Sequence, residues 1–445
     1  MDQTTLLQAF EHYKAGRLEP AAELLQAFLG AAPFDGPANH LLGGIYYRQG
    51  KHGAAREHLG RACSAPAATA EMFNNYGAVL QALGDGQGAV AAYRRALALD
   101  PNYADALNNL GVVYRMQGQP QQAIDVFRRA ATLKPELAEA RKNLRNAYND
   151  VIPAWHFAMM NDRPRNDAYQ AAIARNVPGK RVLDIGTGTG LLAMMAARAG
   201  AASVISCEAV PLIAERAREI VALNGLGDRV TVIARHSTEL SIGSGIANRA
   251  QVLITETFSS DLLSEGVLAT VEHAYRELLT SDAVVIPRAA AAKAYLAGGA
   301  EIEGMLFAGP ANGFDLSPFN EFAPPVLAAS MNNVPHDVLS DDFELSHFDL
   351  KARQFPMGSR PFTVTATKSG VAAGLVQWIA LDLDGISRYE NRPSSGPHAE
   401  SHWTQILHRF PRLLPVEAGQ TVRLAVRHNR EQISVDLAEP PPSSP

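Results

Sequence analysis

A period of 34 residues runs through the first third of the chain and limits its fold more than any other feature. Gly16, Gly50, Gly84 and Gly118 stand one period apart. So do Ala21, Ala55, Ala89 and Ala123, and likewise Leu25, Leu59, Tyr93 and Phe127. Two copies match further, pairing Gly77 with Gly111, Leu80 with Tyr114, Ala96 with Ala130 and Pro101 with Pro135. A unit of this length holds two antiparallel helices, with glycine at the turn, alanine where the helices approach and proline ending the second helix. One such hairpin cannot bury its apolar face alone, so the copies must stack into a solenoid.

These residues resemble the tetratricopeptide repeat, with about four copies over residues 1–137 and a polar capping helix from Glu136 to Tyr148. The resemblance implies a concave groove for a partner peptide or protein, or else a brace for the next domain or a support for dimerisation. The chain has 445 residues, about three domains at roughly 150 residues each, so most of it lies beyond the repeats. Its net charge of -5 argues against a polyanion binder and so against direct nucleic-acid contact. Two cysteines, Cys63 and Cys207, exclude a disulfide framework and a Cys-rich zinc module, and no metal is expected. The N-terminus lacks the layout of a signal peptide, and the longest apolar stretch, Leu191 to Ile205, is broken by Arg198. A soluble protein without membrane contact is expected, cytoplasmic, with the nucleus left open.

After the repeats the period changes. Arg181 to Ile185 is a short apolar strand leading into Gly186-Thr187-Gly188-Thr189-Gly190 and then a helix. A second strand, Ser203 to Cys207, ends in Glu208, and a third runs from Arg229 to Ala234 after another helix. This alternation predicts a parallel sheet with helices on both faces. The glycines let the backbone turn sharply and a ligand come close, and a carboxylate at the end of the second strand is placed for the two hydroxyls of a ribose. That pattern leaves NAD and S-adenosylmethionine both open.

Four further elements resemble the protein arginine N-methyltransferases. They are Trp155 to Asn166 (WHFAMMNDRPRN), Val182 to Leu192 with Glu208 after it, Thr255 to Gly266 (TETFSSDLLSEG) and Ser401-His402-Trp403. The third is similar to the family's double-Glu loop, its glutamates Glu256 and Glu265 nine residues apart. The first, with Gly266 after the second Glu, looks most like the type 7 and type 9 members, the latter also bearing tetratricopeptide repeats. The resemblance implies S-adenosyl-L-methionine as cofactor and arginine in a protein as substrate. Two carboxylates suit that chemistry on their own terms. The sulfonium and the guanidinium are both cations, and a bidentate carboxylate clamp neutralises and aligns the guanidinium. It also leaves electron density on the nitrogen facing the methyl group.

By the same resemblance Glu256, Glu265, His402 and Asp162 would be catalytic, the last two as a proton-accepting pair. Arg165 would hold the methionine carboxylate, with His156 beside it. Asp184, Gly186, Gly188 and Gly190 would shape the cofactor turn, Glu208 would take the ribose, and Ser237, within His236 to Thr238, the adenine. Met159 and Trp403 would face the substrate. The chain departs from the family's commonest pattern at Thr257 and Ser401, and carries one catalytic module where animal types 7 and 9 carry two. A homodimer is therefore expected. Monomethylation and symmetric dimethylation both stay open, the repeat-bearing architecture favouring the second.

Beyond Pro287, Phe362 to Ala366, Leu375 to Leu383 and Thr421 to Val426 have strand character and predict an antiparallel β domain. The resemblance implies that this domain is the family's β-barrel-like substrate domain, with the family's dimerisation arm within Glu301 to Pro335. The expected fold class is thus an α-solenoid, a Rossmann-like α/β domain and a β domain. The expected boundaries are 1–150, 151–287 and 288–438, with a disordered tail at 439–445. Two other readings remain: an inactive repeat adaptor with a methyltransferase fold, and a methyltransferase acting on a small guanidino compound.

Overall fold

The computed structural model describes residues 3–153, 155–394 and 403–438. Ser401 and His402, and the tail from Glu439 onward, lie outside the described residues. Two compact units are present, Met1–Pro153 and Ala154–Pro445.

The first unit is four helical hairpins and a last helix. Their ranges are α1 (Gln3–Lys14), α2 (Leu18–Ala31), α3 (Gly36–Arg48), α4 (His52–Cys63), α5 (Ala70–Ala82), α6 (Gly86–Leu99), α7 (Ala104–Met116), α8 (Pro120–Leu133) and α9 (Ala138–Val151). Gly16, Gly50, Gly84 and Gly118 close the hairpins with φ between +69° and +79°, a conformation in which a Cβ is strained. The periodic Ala21, Ala55, Ala89 and Ala123 are fully buried, as are Leu25, Leu59, Tyr93 and Phe127. Gly77 and Gly111 serve a second purpose. A Cβ there would stand 2.7 and 2.6 Å from the rings of Tyr93 and Phe127, so the missing side chain is the socket for the aromatic ring.

Stacking between hairpins has a polar component as well. His40 lies 2.8 Å from Asn75, while Asn109 and Asn143 donate to Asn74 and Asn108, each at 3.0 Å. Each pair joins the first helix of one hairpin to the first helix of the next or, for Asn143, to the last helix α9. Partly buried amides are satisfied by this arrangement, and it adds register to the apolar stacking.

The second unit begins with α10 (Trp155–Asn161) and α11 (Arg163–Asn176). Then come β1 (Arg181–Ile185), α12 (Leu191–Arg198), β2 (Ser203–Glu208), α13 (Pro211–Leu223), β3 (Val230–Ala234), β4 (Ala250–Thr255), α14 (Val267–His273) and β5 (Leu279–Ile286). The five strands form one parallel sheet in the order β3-β2-β1-β4-β5. The order reverses beside β1, and the carboxyl ends of β1, β2 and β4 meet there, the place where open α/β sheets take ligands.

The rest is antiparallel. It comprises β6 (Ala289–Gly298), α15 (Ala300–Leu306), β7 (Val326–Ala329), β8 (Asp337–Val338), β9 (Phe343–Asp349), β10 (Gly358–Thr365), β11 (Gly370–Asp382), β12 (Arg388–Glu390), β13 (Gln405–Val416), β14 (Thr421–His428) and β15 (Ile433–Leu437). Seven of these strands make one sheet around the spine β7-β13-β11-β6-β8, and β10-β14-β15 make another. One apolar core runs from Tyr169 and Val182 under the parallel sheet to Leu375, Leu424 and Ile433 in the antiparallel sheets. That continuity makes the second unit a single body.

The antiparallel core also holds a histidine. His408 on β13 is buried, its Nε2 2.7 Å from Gln377 Oε1 and its Nδ1 without a hydrogen-bond partner. Burial pushes its pKa down to about 4, against the opposing pull of Asp261. A folded pKa below the unfolded value means that the unfolded chain takes up the proton first as pH falls. The stability His408 contributes is therefore complete above about pH 6.5 and disappears toward pH 4, a total of about 3 kcal/mol. Asp184, raised to about 7 chiefly by burial, acts in the opposite sense, and a comparison with His408→Gln cancels it. The stability gap between wild type and His408→Gln in urea unfolding is expected to change by about 2 kcal/mol between pH 7 and pH 5. A gap constant over that range would refute the assignment.

Candidate active site

The turn after β1 is built for close approach. Gly186, Gly188 and Gly190 have φ of +87°, +51° and +82°, and Gly190 caps the start of α12. A Cβ on Gly186 would meet Thr257 Cγ2 at 2.9 Å, and one on Gly190 would meet Val221 Cγ2 at 3.2 Å. Under the turn, Asp184 is buried and accepts from Ser206 Oγ at 2.6 Å through Oδ2, while its Oδ1 has no partner among the described residues. Glu208 closes the turn from β2, accepting from the Gly188 and Val210 amides at 3.1 and 3.0 Å. Ser237 is buried at the head of a short turn after β3.

The opposite wall comes from α10 and α11. Asp162 caps α11, its Oδ1 accepting from the Arg165 amide at 3.1 Å. Arg165 itself is buried and stands 5.2 Å over the ring of Tyr169, whose hydroxyl donates to the Thr255 carbonyl at 3.1 Å. Arg165 Nη1 donates to Asn166 at 2.7 Å and Nη2 pairs with Glu256 Oε2 at 2.7 Å, the two charged side chains only 3% and 7% exposed. Burial alone would depress the guanidinium, but Glu256 outweighs it and holds Arg165 above its ordinary value. Among the described residues, the Arg165 Nε has no hydrogen-bond partner. Met159 is buried against the turn, its Cε 3.7 Å from where a Cβ on Gly188 would sit. His156 stacks on Trp155 with ring centroids 4.0 Å apart.

Glu256 and Glu265 stand near the two ends of the loop between β4 and α14. Glu256 is buried on Arg165, whereas Glu265 is exposed, next to Gly266 at the cap of α14. The span between them is a folded turn. Asp261 Oδ1 accepts from the Leu263 and Ser264 amides at 3.2 and 3.1 Å and from the Ser259 hydroxyl. Buried Leu262 is held at φ +81°, backbone strain of the kind that persists where the surroundings over-determine a loop. Trp403 is buried beneath this loop, donating its indole N–H to the Phe258 carbonyl at 2.7 Å. Thr404 reinforces the tie with its amide on Ser260 Oγ at 3.1 Å.

The structure thus gathers Asp162, Arg165 and Glu256 with the β1 turn, while His402 falls outside the described residues. Sequence reading missed Tyr169, Asn166, Ser206 and Asp261. It also missed Tyr389 on β12, whose hydroxyl donates to Asp162 Oδ2 at 2.7 Å. Asn166 and Asp261 lie inside the quoted Trp155–Asn166 and Thr255–Gly266 motifs without a role assigned to them, while Tyr169, Ser206 and Tyr389 carry no motif signal of their own.

The fit to a cofactor rests on orphaned groups. A cradle of three glycines at positive φ, a buried guanidinium with one free N–H and a carboxylate anchored at the end of β2 suit an adenosyl ligand bearing a carboxylate. Among the described residues, no group of three or more His, Cys, Asp or Glu side chains is placed to hold a metal ion. No helix among them is long and apolar enough to cross a membrane.

Comparison with known proteins adds to this geometry. Residues 6–70 and 68–136 match tetratricopeptide repeat family models, and residues 169–270 match the model for ribosomal protein L11 methyltransferase. Residues 305–438 match the arginine methyltransferase oligomerization subdomain. An arginine N(omega)-methyltransferase of Streptomyces achromogenes subsp. streptozoticus is 38% identical over 61% of this chain and 75% of its own length. A protein arginine N-methyltransferase 7 of Drosophila melanogaster is 30% identical over 66% of this chain, which spans about half (49%) of that relative. In fold, the chain is similar to the Trypanosoma brucei PRMT1 enzyme–prozyme heterotetrameric complex with AdoHcy. The TM-score is 0.55 at 24% identity, covering 64% of this chain and 94% of that one. Arabidopsis thaliana protein arginine methyltransferase 10 gives a TM-score of 0.52 at 21% identity, covering 62% and 90%.

Proposed function

Because this chain belongs to the protein arginine N-methyltransferase family, we propose that it transfers a methyl group from S-adenosyl-L-methionine to an arginine guanidinium in a protein. The observation that carries this reading is the loop bearing Glu256 and Glu265, folded on its own hydrogen bonds and joined through Glu256 to Arg165. The cofactor supplies, when bound, an electrophilic methyl group on a sulfonium. Everything else falls to the chain. Arg165 would hold the cofactor's carboxylate through its free Nε, and Glu208 the ribose. Glu256 and Glu265 neutralise and orient the guanidinium so that one nitrogen meets the methyl carbon in line. The Asp162–His402 pair would take the proton that the guanidinium nitrogen gives up on methylation.

The repeat array supports a recruiting role. A cavity of about 930 Å³ between α1, α3 and α5 is lined by Phe10, Tyr13, Leu41, Met72 and Asn75, a mixture of apolar and amide groups suited to a peptide or protein. A homodimer is supported by the match to an oligomerization subdomain and by Phe314, Phe319 and Phe322, each at least 69% exposed after α15. A cytoplasmic site of action is part of the same proposal.

A second reading takes free arginine or another small guanidine as substrate, favoured by the Streptomyces relative, whose name specifies arginine without specifying protein. Labelled S-adenosyl-L-methionine, given with an arginine-rich protein extract or with free arginine, decides between the two. Label on protein-bound arginine is the expected result, and it should track with species of twice the chain mass in sedimentation. Label on free arginine alone would overturn the protein reading. Activity sedimenting wholly as monomer would overturn the dimer, and no transfer to either substrate would leave the repeat adaptor standing.

A further inference from the structure

Tyr389 sits where two lines of support for the site cross. It lies on β12, a three-residue strand paired to β11 through Leu381, and it is buried. Its hydroxyl donates to Asp162 Oδ2 at 2.7 Å, and its ring packs on Trp403 with centroids 5.6 Å apart. The hydroxyl leads to the cofactor side. Asp162 Oδ1 takes the Arg165 amide, so the orientation of that carboxylate bears on the first turn of α11, the turn that carries Arg165. The ring leads to the guanidinium side, because Trp403 holds the Phe258 carbonyl two residues past Glu256.

Resting on the reading of the site as a methyltransferase centre, we infer that Tyr389 is a positioning residue that couples the cofactor-holding helix to the double-Glu loop. The physical basis is the separation of its two contacts. A buried hydrogen bond to a carboxylate is short, directional and stronger than a neutral one. Without it, Asp162 loses one of the hydrogen bonds that orient its carboxylate, so its cap on the Arg165 amide loosens and with it the first turn of α11. The ring contact is dispersive and shape-dependent, so it survives loss of the hydroxyl and fails only when the ring itself is removed.

The two contacts predict a split. In the full chain, Tyr389→Phe is expected to raise the KM for S-adenosyl-L-methionine and the Kd for S-adenosylhomocysteine about 10-fold, with a smaller fall in kcat than Tyr389→Leu shows. Tyr389→Leu is expected to show the same loss of affinity and, in addition, a fall in kcat of about 10-fold or more as Trp403 and the loop shift. Hydrogen exchange at the Arg165 amide, measured with no cofactor present, should quicken about 10-fold in Tyr389→Phe. A side chain serving only to fill space would leave affinity and exchange unchanged in Tyr389→Phe, and that result would overturn the inference. A Tyr389→Leu variant with kcat intact would overturn the coupling to the loop. If wild type itself failed to bind S-adenosylhomocysteine, the methyltransferase reading would fail instead. Arg165 amide exchange would still test the tie between Tyr389 and α11.

Discussion

Replacing Glu265 with Gln is expected to lower kcat for arginine methylation by a factor on the order of 10² to 10³, with S-adenosylhomocysteine affinity within about twofold of wild type. Glutamine keeps the shape and one acceptor oxygen but removes the charge. It cannot neutralise a guanidinium or take both of its N–H groups as a carboxylate does. Glu265 is exposed next to the cap of α14, so its replacement disturbs little buried structure. Glu256 differs. Its carboxylate is buried on Arg165 at 2.7 Å, so Glu256→Gln should lose a comparable factor in kcat and cofactor affinity as well. The two glutamates are thus distinguishable by a binding measurement, even though either substitution stops turnover. Acting on one guanidinium as a unit, they should be non-additive, the double variant falling little below either single one. A Glu265→Gln enzyme with kcat within about threefold of wild type would remove the clamp from the mechanism.

Legibility in the sequence tracks spacing. The solenoid is legible because Gly16, Ala21 and Leu25 recur with their copies at a fixed interval, and each recurrence answers one steric demand of the hairpin. The glycine turn is legible for the same reason: positive φ leaves glycine few substitutes, and all three glycines have it. What spacing cannot carry is a contact between residues far apart in the chain. Tyr389 and Asp162 are 227 residues apart and meet only because β12 pairs with β11 beside α11. The amide pairs between repeats are half visible, since Asn74 and Asn108 share the 34-residue interval, but the bonded partners lie 35 apart and cross between hairpins. Trp403 enters the site only through the resemblance of Ser401-His402-Trp403 to a family motif, and its spacing says nothing of its burial. Its burial follows from β13, which begins two residues later and carries the side chain beneath the loop. The ion pair of Arg165 with Glu256 is not legible either, because the motif of each residue points to a different ligand.

That ion pair sets the second large effect. Arg165→Ala is expected to weaken S-adenosylhomocysteine binding at least about 100-fold and to destabilise the second unit by about 3–5 kcal/mol. The stability loss comes from Glu256. Once the guanidinium is gone, a side chain 7% exposed keeps its charge in a site that had neutralised it, or takes up a proton at the expense of its function. Arg165→Lys separates the two losses. An ammonium reaching Glu256 restores most of the stability, but it is a point charge without the planar fork, so it cannot present an Nε to the cofactor carboxylate while Nη1 holds Asn166 and Nη2 holds Glu256. The lysine variant should therefore unfold within about 1–2 kcal/mol of wild type and still bind S-adenosylhomocysteine at least about 10-fold more weakly. Calorimetric titration and urea unfolding read the two quantities independently. If lysine restored affinity together with stability, Arg165 would be a counter-ion for Glu256 and nothing more, and the cofactor's carboxylate would have to be held by another group.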